Sequence, residues 1–522
     1  MSETGKRVAT AAVILMVTVI LSRVLGYGRE VALYTLFELN YMTDAYRAAF
    51  SIPDFIYTLL VGGALSSAFI PVFSSYLATG REDEAWRSAS IVFNYTVLLL
   101  LILIALAYLY TRPLINILVP GLPPYYSTLA VHLTHIMFAQ TFFMALNGLA
   151  MGVLNSNHHF LAPALGSLLY NAVIIVVGVA LVKQLGIAAF SYGVVLGAVL
   201  NFVVQIPALR RIGLKYYFSW DFRNEGFNQI MMLMVPVLAG LGAVQLGLFV
   251  TQNLASGLAP GSISALALAQ RLMNLPLGIF AVSIAVAVFP TMTSLTARGE
   301  LEMFKRTTSL GIRAVFLLTV PASLGLMAIG EPLIKLLFEQ GKFTAGAVSI
   351  TNQALFYYCL GLFAYSSIQV LNRSFYALKD TLTPVVAAIV TIAFNILVSL
   401  KLVGPMGHRG LALAYSLAGI LSLLFLISVF RKKVGQIGGS KIAGSFAISL
   451  GASLAMYLVV RLVTYRLLDI LDLGSSKMNL LFGVGGGMAV GVVVYTFIVY
   501  LFKLEETELV LGMIRKRFLK KA

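Results

Sequence analysis

Apolar residues run along this chain in blocks of about twenty or more, separated by short polar stretches. Fourteen such blocks are predicted, at approximately 8–37, 45–79, 86–111, 125–154, 161–182, 187–209, 227–253, 263–290, 307–329, 348–376, 384–402, 410–430, 443–463 and 480–502. About 20 helical residues cross a hydrocarbon core of about 30 Å. A membrane β-barrel would instead show segments of about ten residues with alternating polarity. The pattern therefore predicts an all-α polytopic membrane protein with fourteen spans. Composition agrees: the chain is 59% hydrophobic and 11% charged, where a soluble domain carries about 25% charge.

A formal net charge of +17 suggests nucleic acid until its distribution is read. An even number of spans places both termini on one side. The segments on that side hold 24 of the 37 basic residues and the opposite segments hold nine. Arg23, Arg29, Arg47 and Arg271 are the four that remain, assigned to neither side. By the positive-inside rule both termini are cytoplasmic, and the excess charge marks topology and attraction to anionic lipid. No nucleic-acid partner is required. Lys6-Arg7 before an apolar run imitates a secretory signal, but no small-residue cleavage site follows, so a retained first span is expected.

The chain contains an internal repeat. Ala45-Tyr46-Arg47, Pro53 and Phe69-Ile70-Pro71 are echoed by Ala269-Gln270-Arg271, Pro276 and Val288-Phe289-Pro290. Asn171 and the segment from Gly186 are echoed by Asn395 and the segment from Gly410. Both Arg47 to Arg271 and Asn171 to Asn395 are separated by 224 residues. Six spans lie between equivalents, so the copies run in the same direction, as in transporters whose site lies between two halves. The expected division is an N-lobe at 1–220, a C-lobe at 221–435, and two extra spans with a basic tail at 436–522. In the last span Gly483, Gly485, Gly486, Gly487 and Gly491 favour close helix packing over a lipid-binding surface. Glu505–Lys521 reads as a helix on the inner membrane surface.

Signals of catalysis are missing. There is no Walker A loop, no Gly-x-Ser-x-Gly elbow and no HExxH. His132 and His135 lie one helical turn apart without an evident third ligand, so packing is favoured over metal binding. Glu82-Asp83-Glu84 reads as a solvated helix start. Cys359 is the single cysteine and lies in an apolar run, so no intrachain disulfide forms. No cofactor is implied.

The charges inside the spans carry the functional information. The first span holds Ser22-Arg23-Val24-Leu25-Gly26-Tyr27-Gly28-Arg29-Glu30. Each buried charge costs a few kcal/mol unless it meets protein, water or a ligand. Gly26 and Gly28 allow a bend that would turn both arginines into one cavity; the bland alternative is a snorkelling Arg23 beside a structural Arg29–Glu30 pair. The second span adds Asp44, placed as the cap of its helix, with Arg47 and, deeper, Asp54; the eighth adds Arg271. Four arginines against three acids give a slightly cationic cavity, and arginine forks match phosphate oxygens. An anionic, phosphate-bearing substrate is expected.

Ser22-Arg23-Val24-Leu25-Gly26-x-x-Arg29-Glu30, Thr43-Asp44-Ala45, Ile52-Pro53, Gly63-Ala64-Leu65-Ser66-x-Ala68-Phe69-Ile70-Pro71 and Arg271-Leu272-x-x-x-Pro276 together resemble the MurJ (MviN) lipid II flippases of the MOP exporter superfamily. The likeness covers essentially the whole chain. It implies two pseudo-symmetric six-helix lobes plus two C-terminal helices, a MOP/MATE-like fold. It also implies transport of undecaprenyl-diphosphate-linked peptidoglycan precursor across the bacterial cytoplasmic membrane, with Ser22, Arg23, Arg29, Glu30, Asp44 and Arg271 at the central cavity. Many members carry aspartate at the position of Glu30. They carry arginine where this chain has Tyr57-Thr58, and glutamate where it has Gly62, as if an acid and a base had been lost together. The expected protein is a monomeric flippase working by alternating access, with lipid-linked substrate and membrane lipids as partners and cell-wall synthesis proteins as further candidates. The competing readings are another MOP-type transporter, for polysaccharide precursors or drugs, and a non-transporting scaffold for cell-wall enzymes.

Overall fold

The computed structural model describes residues 3–61, 64–470 and 477–507. Its described residues are helical, with no strand among them. Contacts divide the chain into two units, Met1–Gly261 with Gly341–Phe343, and Ser262–Gln340 with Thr344–Ala522.

The first unit contains α1 (Glu3–Phe37), α2 (Tyr41–Leu60), α3 (Ala64–Ala78), α4 (Glu82–Leu109), α5 (Thr111–Leu118), α6 (Pro124–Ser156), α7 (Leu161–Leu185), α8 (Ala188–Val203), α9 (Ile206–Arg211) and α10 (Glu225–Ser256). Within it α7 packs on α8 and α1, and α6 on α2 and α8. Helix α10 packs on α3, α2 and α4, so this unit extends to Gly261, past the lobe boundary expected near residue 220.

The second unit contains α11 (Ser262–Pro276), a π turn at Leu277–Ala281, α12 (Val282–Ala297), α13 (Leu301–Phe338), α14 (Ala345–Cys359), α15 (Leu362–Ala377), α16 (Leu382–Met406), α17 (His408–Val434), α18 (Gly439–Ile470) and α19 (Lys477–Leu501). Here α18 packs on α19 and α13, and α16 on α17. In lipid, packing of this kind rests on close van der Waals fit, because the tails outside are as apolar as the core. Gly487 and Gly491 illustrate the fit: a Cβ at Gly487 would lie 2.0 Å from Thr464 Oγ1, and one at Gly491 would lie 2.6 Å from Val460 Cγ2, both on α18. These glycines of α19 serve helix contact.

Every expected span falls on a helix or a run of helices. Among the described residues ten helices are long and apolar enough to cross a membrane, and the pair α14–α15, bent by 46°, makes an eleventh if it is one span. The expected spans at 8–37, 45–79 and 227–253 each include residues outside those whose side chains are described, as does Gly62. The count of fourteen thus stands at eleven among the described residues.

The repeat is carried by its turns. Gly80 and Gly299 both have φ near +74° and end their helices with paired bonds, Gly80 N–H to Leu77 at 3.1 Å and Arg81 N–H to Tyr76 at 2.9 Å, matched by Gly299 to Thr296 and Glu300 to Leu295. His158 and Lys379, both at φ +60°, end α6 and α15 with the same pairing. Gly186 (φ +57°, ψ −139°) and Gly407 (φ +58°, ψ −135°) join α7 to α8 and α16 to α17. Gly186 is therefore the counterpart of Gly407. Its expected match, Gly410, donates its N–H back to Gly407, as Ala189 does to Gly186.

The tail also departs from expectation. Glu505 pairs with Arg306 at 2.6 Å and with Arg313 at 3.0 Å, and Glu506, fully buried, pairs with Arg313 at 2.9 Å and bonds Ser445. These hydrogen bonds hold the Glu505 carboxyl down to about 2. The acidic start of the tail is thus part of the second unit's packing; residues 508–521 lie outside the described ones.

Candidate functional site

Glycines 26 and 28 leave α1 continuous from Glu3 to Phe37. A Cβ at Gly26 would lie 3.8 Å from Asn171 Oδ1 and one at Gly28 would lie 3.6 Å from Ile175 Cδ1, both ordinary contacts. Without a break, Arg23 and Arg29 stay on different faces. Arg29 is partly buried, whereas Arg23 is exposed and pairs with no carboxylate among the described residues. Ser22 turns toward α7, with its hydroxyl 2.8 Å from Ser167 Oγ and 3.5 Å from Asn171 Nδ2.

Three of the expected site residues form one cluster. Glu30, only 2% exposed, accepts a hydrogen bond from Arg29 at 3.0 Å through one oxygen and is bonded by Arg47 through the other. Arg47 also donates to the Tyr34 hydroxyl, from Nε at 3.1 Å and from Nη2 at 2.9 Å. Tyr34 lies one helical turn after Glu30, so both meet Arg47 on one face of α1. Its ring edge rests on Phe343 at 6.1 Å. Arg47 is absent from the family motif quoted above, yet it completes this cluster. The i, i+4 spacing of Glu30 and Tyr34 was the signal available for finding Tyr34.

Asp54 lies two turns beyond Arg47 on α2, half-buried, hydrogen-bonded to Gln140 of α6 and attracted by the charge of Arg29. Gln140, an amide in an apolar span, gave no recognisable motif. Arg29, Arg47, Glu30 and Asp54 together are electrically neutral.

Asp44 plays a different part from the one expected. The cap of α2 is Asn40, whose side chain accepts from Met42 and Thr43 N–H at 2.9 and 3.1 Å while Thr43 Oγ1 accepts from Asn40 N–H at 3.0 Å. This is a capping box, made possible by Asn and Thr three residues apart. Asp44, one position further and 3% exposed, accepts the Gly261 N–H at 2.8 Å and so ties down the end of the first unit.

In the second unit Arg271 is half-buried on α11, five residues before Pro276 and the π turn. Its neighbour Gln270 is hydrogen-bonded to Tyr415, which stacks on Tyr365 at 4.3 Å. Among the described residues no three His, Cys, Asp or Glu side chains gather closely enough to hold a metal ion. His135 stacks on Tyr108 at 4.1 Å.

Apolar helices long enough to cross a membrane, built on an internal repeat and holding ionic groups inside the spans, have the features of a polytopic membrane transporter. The chain belongs to the lipid II flippase MurJ family: the family described as "Lipid II flippase MurJ" matches residues 33–482. It is 30% identical to the lipid II flippase MurJ of Burkholderia cenocepacia over 79% of this chain and 82% of that one. With the probable lipid II flippase MurJ of Bdellovibrio bacteriovorus the identity is 31% over 83% and 84% of the two chains. The structure of "Lipid II flippase MurJ, inward closed conformation" superposes with a TM-score of 0.78 at 29% identity, over 94% of this chain and 98% of that one. An inward-facing MATE transporter of the MOP superfamily shares the fold, with a TM-score of 0.66 at 15% identity over 79% and 94% of the chains.

Proposed function

We propose that this protein carries lipid II, the undecaprenyl-diphosphate-linked peptidoglycan precursor, from the inner to the outer face of the bacterial cytoplasmic membrane, with both termini cytoplasmic. Family membership over most of the chain supports the substrate. The observation that carries the site is the charge balance along α1: Glu30 neutralises Arg29 and Arg47 only with help from Asp54, and Arg23 stands exposed without a carboxylate among the described residues. Arg23 and Arg271 then meet the diphosphate, while the Arg29–Glu30–Arg47 cluster holds α1 and α2 in register beside it. The protein works as a monomer by alternating access, and no bond is made or broken.

The test is replacement of a depleted lipid II flippase in living cells, with flipping read directly. Arg23→Ala and Arg271→Ala are expected to insert normally and to lose transport, and lysine is expected to rescue only partly because it lacks the fork. Full complementation by both alanine variants at normal expression overturns the site. If they complement while changes in the cytoplasmic loops do not, the protein is a scaffold for cell-wall enzymes. Cysteine labelling that finds either terminus outside overturns the topology.

A further inference from the structure

Residues 214–221, between α9 and α10, lie in neither helix nor turn, yet they run along a membrane helix. The Tyr217 N–H donates to Ser90 Oγ at 3.0 Å, Asn94 Nδ2 donates to the Ser219 carbonyl at 2.9 Å, and the Tyr95 hydroxyl donates to the Trp220 carbonyl at 2.8 Å. Asn94 Oδ1 accepts from the Tyr216 hydroxyl at 2.7 Å, and Ser88 bonds Asn224 at 2.8 Å. Ser90 and Asn94 are 4% and 5% exposed. These polar residues interrupt an otherwise apolar helix to satisfy another segment's backbone.

A loop in water has no need of such partners, because water supplies them. A loop inside the membrane boundary must find them in protein. Ser90 to Tyr95 lie four to nine residues inside the expected start of the third span, so about 6 to 14 Å along the helix. That range overlaps the depth at which interfacial segments settle, about 5–10 Å into the headgroup boundary. The side chains turned outward suit that place: Leu214, Tyr216, Phe218, Trp220 and Phe222 are exposed, with Phe218 at 77%. Arg210, Arg211 and Arg223 flank them, also exposed. The acids nearby are Asp221, which caps the Arg223 N–H at 3.0 Å, Glu225, and Asp83, which is paired with Lys215 at 2.7 Å.

We propose that residues 210–223 are an interfacial anchor, inserted among anionic phospholipid headgroups, with the aromatic side chains at the acyl boundary and the arginines on the phosphates. An aqueous protein partner is the alternative that the backbone bonding disfavours.

The chain has two tryptophans, Trp86, which is 2% exposed, and Trp220, which is 38% exposed. The full protein is reconstituted into vesicles carrying equal fractions of brominated phosphatidylglycerol or brominated phosphatidylcholine. The quenching due to Trp220 is taken as the difference between the native protein and Trp220→Phe, which leaves the buried Trp86 untouched. Brominated phosphatidylglycerol is expected to quench Trp220 at least about twofold more than phosphatidylcholine, and the excess is expected to vanish in Arg210→Ala/Arg211→Ala/Arg223→Ala and to shrink at high salt. No quenching by either lipid, with quenching by aqueous iodide, puts the loop in water and overturns the proposal. Equal quenching by both lipids overturns the headgroup preference. Vesicles present the same lipids on both faces, so the outcome is independent of the transport assignment and of which side the loop occupies.

Discussion

The two repeats share their turns and differ in their charges. Gly80 with Gly299, His158 with Lys379, and Gly186 with Gly407 repeat the same backbone conformations at equivalent helix ends. The interior has not been kept in the same way. Arg47 and Arg271 correspond, but at the same spacing of 224 residues Glu30 is matched by Leu254, and Asp54, which follows Pro53, is matched by Leu277, which follows Pro276. Beside Arg271 the second repeat sets Gln270 against Tyr415, which stacks on Tyr365. Backbone conformation at a turn has few solutions, so it outlasts duplication. A buried ion pair is stable only as a set, so it is kept or lost together.

The largest effect expected from this contrast is at Glu30. Glu30→Gln leaves two partly buried guanidiniums with a neutral partner and is expected to cost on the order of 3 kcal/mol, whereas Leu254→Gln at the corresponding place should stay within about 1 kcal/mol. Thermal unfolding in nanodiscs measures both; equal losses would break the contrast. Next come Gly186→Ala and Gly407→Ala. Their φ and ψ lie where only glycine sits without strain, so each is expected to lose about 1–3 kcal/mol, and by similar amounts. One severe and one silent result would show that the turns are not equivalent.

A smaller effect separates the turn at Lys379-Asp380 from its counterpart His158-His159. Burial pushes the Asp380 carboxyl up, but hydrogen bonds from Lys433 and Thr383 outweigh it and hold the group down at about 2. The folded value is below the unfolded one of about 3.9, so this contribution is complete above about pH 4 and disappears as pH falls toward 2. Lys433 is half-exposed, so solvent screening keeps it to no more than about 2 kcal/mol. In Asp380→Asn the unfolding temperature is expected to lose that part of its acid dependence; an unchanged acid limb removes Asp380 from the account. The smallest effect is at Gly26 and Gly28, whose counterparts are Val250 and Gln252. Alanine fits against α7 at both, so stability is expected to hold or rise by up to about 1 kcal/mol. Stable variants that no longer transport would show that α1 bends during the cycle.

By itself the sequence determined the helical class, the positions of the spans and the duplication, because each rests on local periodicity and on the cost of unpaired polar groups in lipid. It also singled out Arg29, Glu30 and Arg47 as costly enough to need an explanation. Which charge met which was decided by the tertiary structure. Arg47 reaches Glu30 and Tyr34 because α2 runs beside α1, Asp54 finds Gln140 on α6, and Asp44 gives up the cap to Asn40 and takes Gly261 instead. Likewise, Ser90, Asn94 and Tyr95 look like random polar residues on a membrane helix until the chain from α9 returns along them. Periodicity is a property of neighbours along the chain, whereas pairing joins residues far apart in sequence, and only the packed structure fixes their distances.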